Sequence, residues 1–238
     1  MKNLSVPHFA SWVALAAFLA PACGAQSKLT GDWKGSLNMA GAELRMVLHI
    51  AANKDGALSA TLDSWDQGEY AVPVTSISLS DSKLNLTVDA VHGTYTGTVN
   101  MDASEIDGAW SQGLPINLNF KRVPAAEAAA LHAMKPAPHS DIDGTWTGAL
   151  EAGAETMRIL FKIVNTPDGL KAQLQSPDRG TMWIPATEVS RAGSSLTIQV
   201  RGIGAFFEGI IADRFDSIDG RFTQMGKPMP LVLHRAKE

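Results

Sequence analysis

The chain has one cysteine, Cys23, in 238 residues, so no disulfide can form within it and its core must hold without covalent help. Aromatic residues amount to 7%, with only 2 tyrosines. Charge of either sign is sparse: 20 Lys and Arg against 24 Asp and Glu give a net charge of −4, and no basic block is long enough to track a phosphate backbone, which argues against nucleic acid as a partner. No apolar run reaches the length of a membrane-spanning helix. No Gly-x-Ser-x-Gly pentapeptide occurs, so the turn that exposes a serine nucleophile in α/β-hydrolases is missing. An apolar fraction of 45% argues against disorder.

The N-terminus has Lys2, an apolar run over residues 12–19 and then small residues, the layout of a secretory signal peptide over residues 1–25. Removal after Ala25 takes Cys23 with it, and the alternative is cleavage before Cys23 with a lipid on that cysteine. A secreted or periplasmic protein is expected, as a lipoprotein in the second case, with no transmembrane segment in the mature chain.

The remainder is one unit used twice. Gly31, Trp33, Gly35 and Leu37 recur as Gly144, Trp146, Gly148 and Leu150, each followed by an alternating apolar strand with one arginine, Arg45 or Arg158. Ser64, Asp66 and Gly68 recur as Ser176, Asp178 and Gly180; Ile106-Asp107-Gly108 as Ile218-Asp219-Gly220; and Gln112 as Gln224. Such a long period implies two similar domains rather than a solenoid. Their boundaries fall at residues 27–122 and 141–238, with a linker over residues 123–140 whose Ala-rich part starts after Pro124 and reads as a brief helix.

Eight short strands are expected in the first unit, near residues 33–39, 44–51, 58–64, 72–79, 83–89, 94–101, 106–112 and 116–121. Leu44, Met46, Leu48 and Ile50 share one face, as do Leu84, Leu86 and Val88. The fold class is therefore all-β: two tandem eight-stranded antiparallel up-and-down barrels of calycin-like type, or flattened barrels of the same strands. Closing the sheet removes edges that an exported β-protein must otherwise protect. Glycine weakens a strand unless something large needs the space, so the indoles are expected to fill room left by Gly35, Gly97 and Gly108.

At Gly-x-Trp-x-Gly-x-Leu, Asp63-Ser64-x-Asp66-x-Gly68, Val72-Pro73-Val74 and Ile106-Asp107-Gly108-x-Trp110-x-Gln112, both units resemble a β-rich accessory domain of secreted bacterial proteins, which in that family precedes an α/β-hydrolase or other serine-hydrolase domain. The resemblance implies a non-catalytic module. Here the module is duplicated, no catalytic domain follows, and the second copy has Gln175 and Phe222 in place of Asp63 and Trp110. Gly-x-Trp at the start of an eight-stranded unit is also similar to lipocalin- and avidin-like barrels.

Candidate binding residues are Trp65, Ser64, Asp66, Gln112, Ser176, Asp178 and Gln224. A serine and a carboxylate at a barrel mouth can hydrogen-bond a polar ligand, and an aspartate there can equally cap a turn while Gly68 or Gly180 takes a positive φ. Gln112 and Gln224 are in phase with the core and suit a backbone group or a ligand. Trp65 stands where the second unit has Pro177, so folding does not require it, and a loop indole can anchor a partner or cover the barrel end. Arg45 and Arg158 are out of phase with the core and expect acidic neighbours. Ser80-x-x-Lys83 falls in a hairpin turn, not at a helix start. His49, His92, His132, His139 and His234 show no paired ligand spacing, so neither metal nor cofactor is expected. The leading reading is a non-catalytic binding or interaction protein of the cell envelope, its partner an unknown envelope protein or a small ligand. The alternatives are a lipocalin-like carrier, which needs a hollow interior near Ser64 and Gln112, and a hydrolase or hydrolase-associated subunit.

Overall fold

Alternation decides the first hairpin. In β1 (Gly31–Met39) Trp33 and Leu37 point inward, and in β2 (Ala42–Ala52) Leu44, Met46, Leu48 and Ile50 do, all at most 4% exposed. Register pairs Trp33 with Leu48, Gly35 with Met46 and Leu37 with Leu44, so one parity of both strands faces the core. These elements are seen in a computed structural model that describes residues 28–152 and 155–236. The expected signal peptide over residues 1–25 and its Cys23 lie outside the described residues.

The first sheet continues with β3 (Leu58–Ser64), β4 (Glu69–Pro73), β5 (Ser76–Ser80), β6 (Lys83–Val88), β7 (Gly93–Val99), β8 (Glu105–Ser111), β9 (Pro115–Asn117) and β10 (Phe120–Arg122). A helix, α1 (Ala125–Ala133), begins behind Pro124 as the linker composition predicts. The second sheet comprises β11 (Gly144–Ala152), β12 (Glu155–Thr166), β13 (Gly169–Gln175), β14 (Ile184–Pro185), β15 (Glu188–Ala192), β16 (Ser195–Val200), β17 (Ala205–Ile211), β18 (Ser217–Gln224) and β19 (Lys227–Arg235).

Both sheets are antiparallel meanders of identical order. The first runs β4-β3-β2-β1-β10-β8-β7-β6-β5 with β9 on β8, and the second β14-β13-β12-β11-β19-β18-β17-β16-β15. First and last strands pair, so each sheet curls round, and its two outer strands are successive in the chain. At that seam Val74 N–H donates to Ala60 O at 3.0 Å while Thr75 N–H donates to Thr87 O at 2.7 Å. The strand expected over residues 72–79 thus bends between Val74 and Thr75, one half on each edge, and closes the barrel. Ala186 and Thr187 repeat the arrangement, on Ala172 and Gln199.

The last strand of the first barrel is interrupted between β9 and β10, where the Asn119 side chain accepts the Gly108 N–H at 3.1 Å in place of a backbone carbonyl. Its counterpart β19 runs through. With the bent and the interrupted strand each taken as one stave, each barrel has the expected eight.

The glycines serve a different ring from the one expected. A Cβ at Gly97 would sit 2.6 Å from the Tyr95 hydroxyl, one at Gly108 would strike the same ring, and Trp110 lies over Gly93. Phe207 occupies the Tyr95 position beside Gly209 and Gly220. Trp33 instead fills one barrel end: its Nε1 donates to Leu29 O at 2.9 Å and the Arg122 guanidinium lies 4.2 Å from its ring. Trp146 does the same with Ile142 and Arg235. The indole wants a cap more than a gap, because its N–H needs an acceptor when buried. Outside the first barrel, α1 lays Leu131 against Val47 and Val123, with Trp65 half-buried beside them.

Candidate ligand-binding site

The two barrels meet at the turn that follows β3. Trp65–Gln67 form one helical turn closed by Gly68 at φ 67°. A Cβ on Gly68 would collide with Val164 of β12, so glycine both permits the backbone conformation and lets the second barrel approach.

Asp66 sits in this turn, buried, and accepts the Arg45 backbone N–H at 2.8 Å and two Arg45 guanidinium N–H groups at 3.0 and 2.8 Å. The second barrel adds Lys171 at 3.4 Å from Asp66 and Asp168 at 2.6 Å from Arg45. Burial by itself would push the Asp66 carboxyl up, but hydrogen bonds from the Arg45 side chain and backbone, with the charges of Arg45 and Lys171, outweigh it and hold the group below its ordinary value. Asp66 raises Arg45 in turn, against burial and with help from Asp168. Asp178 accepts from Arg158 in the same way in the second barrel, at 2.7 Å to the backbone N–H and 2.8 Å to Nη2.

Beside this contact lies a cavity of about 400 Å³ between the mouth of the first barrel and the outer face of the second. Its wall is apolar: Leu37 and Met39 from β1, Leu44 and Met46 from β2, Leu62 from β3, Val72 from β4, Val88 from β6 and Trp110 from β8. Its roof comes from the second barrel, with Lys162 of β12, Gln173 of β13 and residues 181–183, including Trp183. The size falls within the ~300–1,000 Å³ of small-molecule sites.

Polar groups converge at two points of the rim. Ser64 Oγ donates to Gln67 Oε1 at 2.6 Å, and Gln67 Nε2 donates across the interface to Gln173 Oε1 at 2.8 Å. Opposite, Trp110 Nε1 donates to Gln112 Oε1 at 3.1 Å while Gln112 Nε2 donates to Val91 O at 2.7 Å, which fixes the indole at the cavity wall. Glu69 and Lys162 form an ion pair between the barrels, and both line the cavity.

Of the residues singled out in the sequence, Ser64 and Gln112 line this cavity, and Asp66 sits in the turn beside it without lining it. Gln112 is exposed rather than interior, since it reaches back to Val91 from the mouth. Trp65 is not a free loop aromatic: it packs under α1, with the Arg45 guanidinium 5.7 Å from its ring. Asp178 is tied to Arg158, Gln224 Nε2 donates to Ile203 O at 3.3 Å, and the buried Ser176 Oγ has no hydrogen-bond partner among the described residues. None of these three lines the cavity. The site is thus one-sided, and its missed half (Gln67, Gln173, Lys162, Trp183) lies on surfaces that a single repeat gives no reason to bring together.

A second constellation was also missed. Asp32 and His49 face each other across β1 and β2 on the outer side of the first barrel. His49 Nδ1 lies 2.6 Å from Asp32 Oδ1 and its Nε2 3.3 Å from Asp63 Oδ2, while His132 of α1 places Nε2 2.8 Å from Asp32 Oδ2. The Asp63 hydrogen bond raises His49 above its ordinary value against burial, with further help from Asp32. Burial would push Asp32 and Asp63 up, yet both stay low, Asp32 through His49 and His132 and Asp63 through His49 and the Ala71 N–H, which it accepts at 2.7 Å.

No family model matches the chain, and no curated protein matches it. Among solved structures it is similar to a protein of unknown function of the DUF3598 family from Nostoc punctiforme, with 12% identity, 92% of this chain and 100% of that one covered and a TM-score of 0.27. It is also similar to a putative outer membrane protein from Bacteroides fragilis, with 12% identity, coverage of 89% and 99% and a TM-score of 0.26. A third is the isotype 1 transferrin binding protein B of Neisseria meningitidis, with 13% identity, coverage of 86% and 43% and a TM-score of 0.25. Likenesses this slight carry no argument, and the case for function rests on the cavity.

Proposed function

We propose that the protein binds a small amphipathic molecule in the cavity between its barrels, as a non-catalytic carrier or receptor exported to the cell envelope. The observation that carries this reading is the division of the first barrel into a solid end and a hollow one. Trp33 fills the first, fully buried under Arg122. The other, at Leu37, Met46 and Trp110, keeps about 400 Å³ open beside Ser64 and Gln112, which is what a carrier requires. An apolar body would lie against these walls, and a polar end would exchange hydrogen bonds with the amides of Gln67 and Gln173. Neutral amides suit orientation and selection of a ligand rather than proton transfer. Export is supported by the composition of residues 1–25.

Titration with anilinonaphthalene sulfonate, an amphipathic dye that brightens in apolar surroundings, tests the reading. Saturable binding by the wild type, lost in Met46→Trp where the new ring fills the cavity floor, is the expected result. Equal binding by a Met46→Trp variant that still gives a β-rich circular dichroism spectrum would overturn it.

A further inference from the structure

We propose that Asp32, His49 and His132 form a binding site for one divalent transition-metal ion of the zinc type, with Asp63 fixing the orientation of His49. Their candidate ligand atoms all lie within 4.8 Å of one another. Two imidazoles and one carboxylate make a nitrogen-rich set suited to zinc, cobalt, nickel or copper rather than to magnesium or calcium, which take oxygen shells. Around zinc at the usual ~2.0–2.2 Å, tetrahedral donors stand about 3.3 Å apart, a spacing these side chains reach by small rotations because His132 is 61% exposed.

The three donors are also held in orientation by their neighbours. The Asp32 carboxylate divides its oxygens, Oδ1 toward His49 and Oδ2 toward His132. On the far side of its ring His49 has Asp63, anchored in turn by the Ala71 N–H. A ligating histidine whose other ring nitrogen donates to a fixed carboxylate is the usual outer support of a metal site, and it leaves Nδ1 as the lone pair aimed at Asp32. His49 has a carboxylate at each ring nitrogen, Asp32 at 2.6 Å and Asp63 at 3.3 Å, and a metal ion would take the place facing Asp32.

The fold does not demand this set. At the matching positions the second repeat has Thr145, Lys162 and Gln175, and there Lys162 serves the contact between barrels. The fourth member comes from the linker, since His132 lies on α1. An ion would therefore pin the linker helix to the first barrel, and solvent would complete its shell on the exposed side.

The test uses the mature full-length protein stripped with a chelator. Cobalt(II) should bind at one equivalent with the intense visible absorption of a low-coordinate centre, and zinc should displace it while millimolar magnesium does not. His132→Ala should weaken zinc binding at least ~10-fold and Asp63→Asn ~10–100-fold. Zinc should also slow proteolytic cleavage of the linker in the wild type and not in His132→Ala. Zinc affinity unchanged in His132→Ala, or no binding at submillimolar zinc, would overturn the proposal and leave an ion-pair network. His49→Gln adds a further arm where it folds; His132→Ala, at an exposed helix position, decides the matter where it does not.

Discussion

Gln67 Nε2 donates to Gln173 Oε1 across the junction of the barrels at 2.8 Å, and the same Gln67 accepts from Ser64 at 2.6 Å. Gln173 is 5% exposed, so truncating it opens a gap at the junction and takes the acceptor from the half-buried Gln67 amide. Gln173→Ala is expected to cost about 1–3 kcal/mol and to weaken dye binding, whereas Gln224→Ala, which removes a bond to the Ile203 carbonyl away from the cavity, should leave dye binding in place. Urea unfolding and dye titration of the two variants check this.

Asp66 gives the structure a defined response to acid. Its carboxyl is held below the ordinary value in the folded state, so it binds fewer protons than the unfolded chain as pH falls. Its contribution is complete above the unfolded value of about 3.9 and is lost as pH drops through the lower folded value. Asp66→Asn should therefore destabilise by about 1–3 kcal/mol near pH 7 and by progressively less below pH ~4. Chemical denaturation at a series of pH values measures the difference; a gap that widens in acid would refute the assignment.

Gly97 is a packing residue, so Gly97→Ala should cost about 1–3 kcal/mol through overpacking. The added Cβ would sit 2.6 Å from the Tyr95 hydroxyl and 2.7 Å from Ile106 Cγ2. Tyr95→Phe removes the nearer atom and should recover part of the loss. A double-mutant cycle in thermal unfolding reads that coupling.

Arg122 caps the solid end of the first barrel. Its Nε donates to Ala103 O at 2.7 Å and its Nη1 to Thr30 O at 2.8 Å, while its plane lies against Trp33. Lysine carries the charge but not the planar fork, so Arg122→Lys should destabilise nearly as much as Arg122→Met. Lysine restoring full stability would show that charge alone matters there.

The strands were legible because one parity of each carries the core, as Leu44, Met46, Leu48 and Ile50 do, and a repeated sequence shows that parity twice. The turn at Ser64, Asp66 and Gly68 was legible for the same reason, with Arg45 and Arg158 out of phase and in need of an acid. The bend between Val74 and Thr75 leaves a trace, since the inward residues change parity there from Val72 and Val74 to Ile77 and Leu79, but a single slip of phase fits a bulge within one strand equally well. The cavity depends on Gln67 meeting Gln173, 106 residues away, a relation between barrels that no local pattern encodes. His132 likewise reaches Asp32 across 100 residues. One available clue went unread: Asp32, His49 and Asp63 share the outward parity of the first copy, where the second has Thr145, Lys162 and Gln175.

The most direct test of the shared cavity is fluorine NMR of the full chain labelled with fluorotryptophan, followed as anilinonaphthalene sulfonate is added. Trp110 of the first barrel and Trp183 of the second both line the cavity, whereas Trp33 and Trp146 are fully buried and do not. The resonances of Trp110 and Trp183 should shift together at one ligand equivalent while those of Trp33 and Trp146 stay in place. Movement of Trp110 without Trp183, or of Trp33 and Trp146 with either, would contradict a binding site roofed by the second barrel.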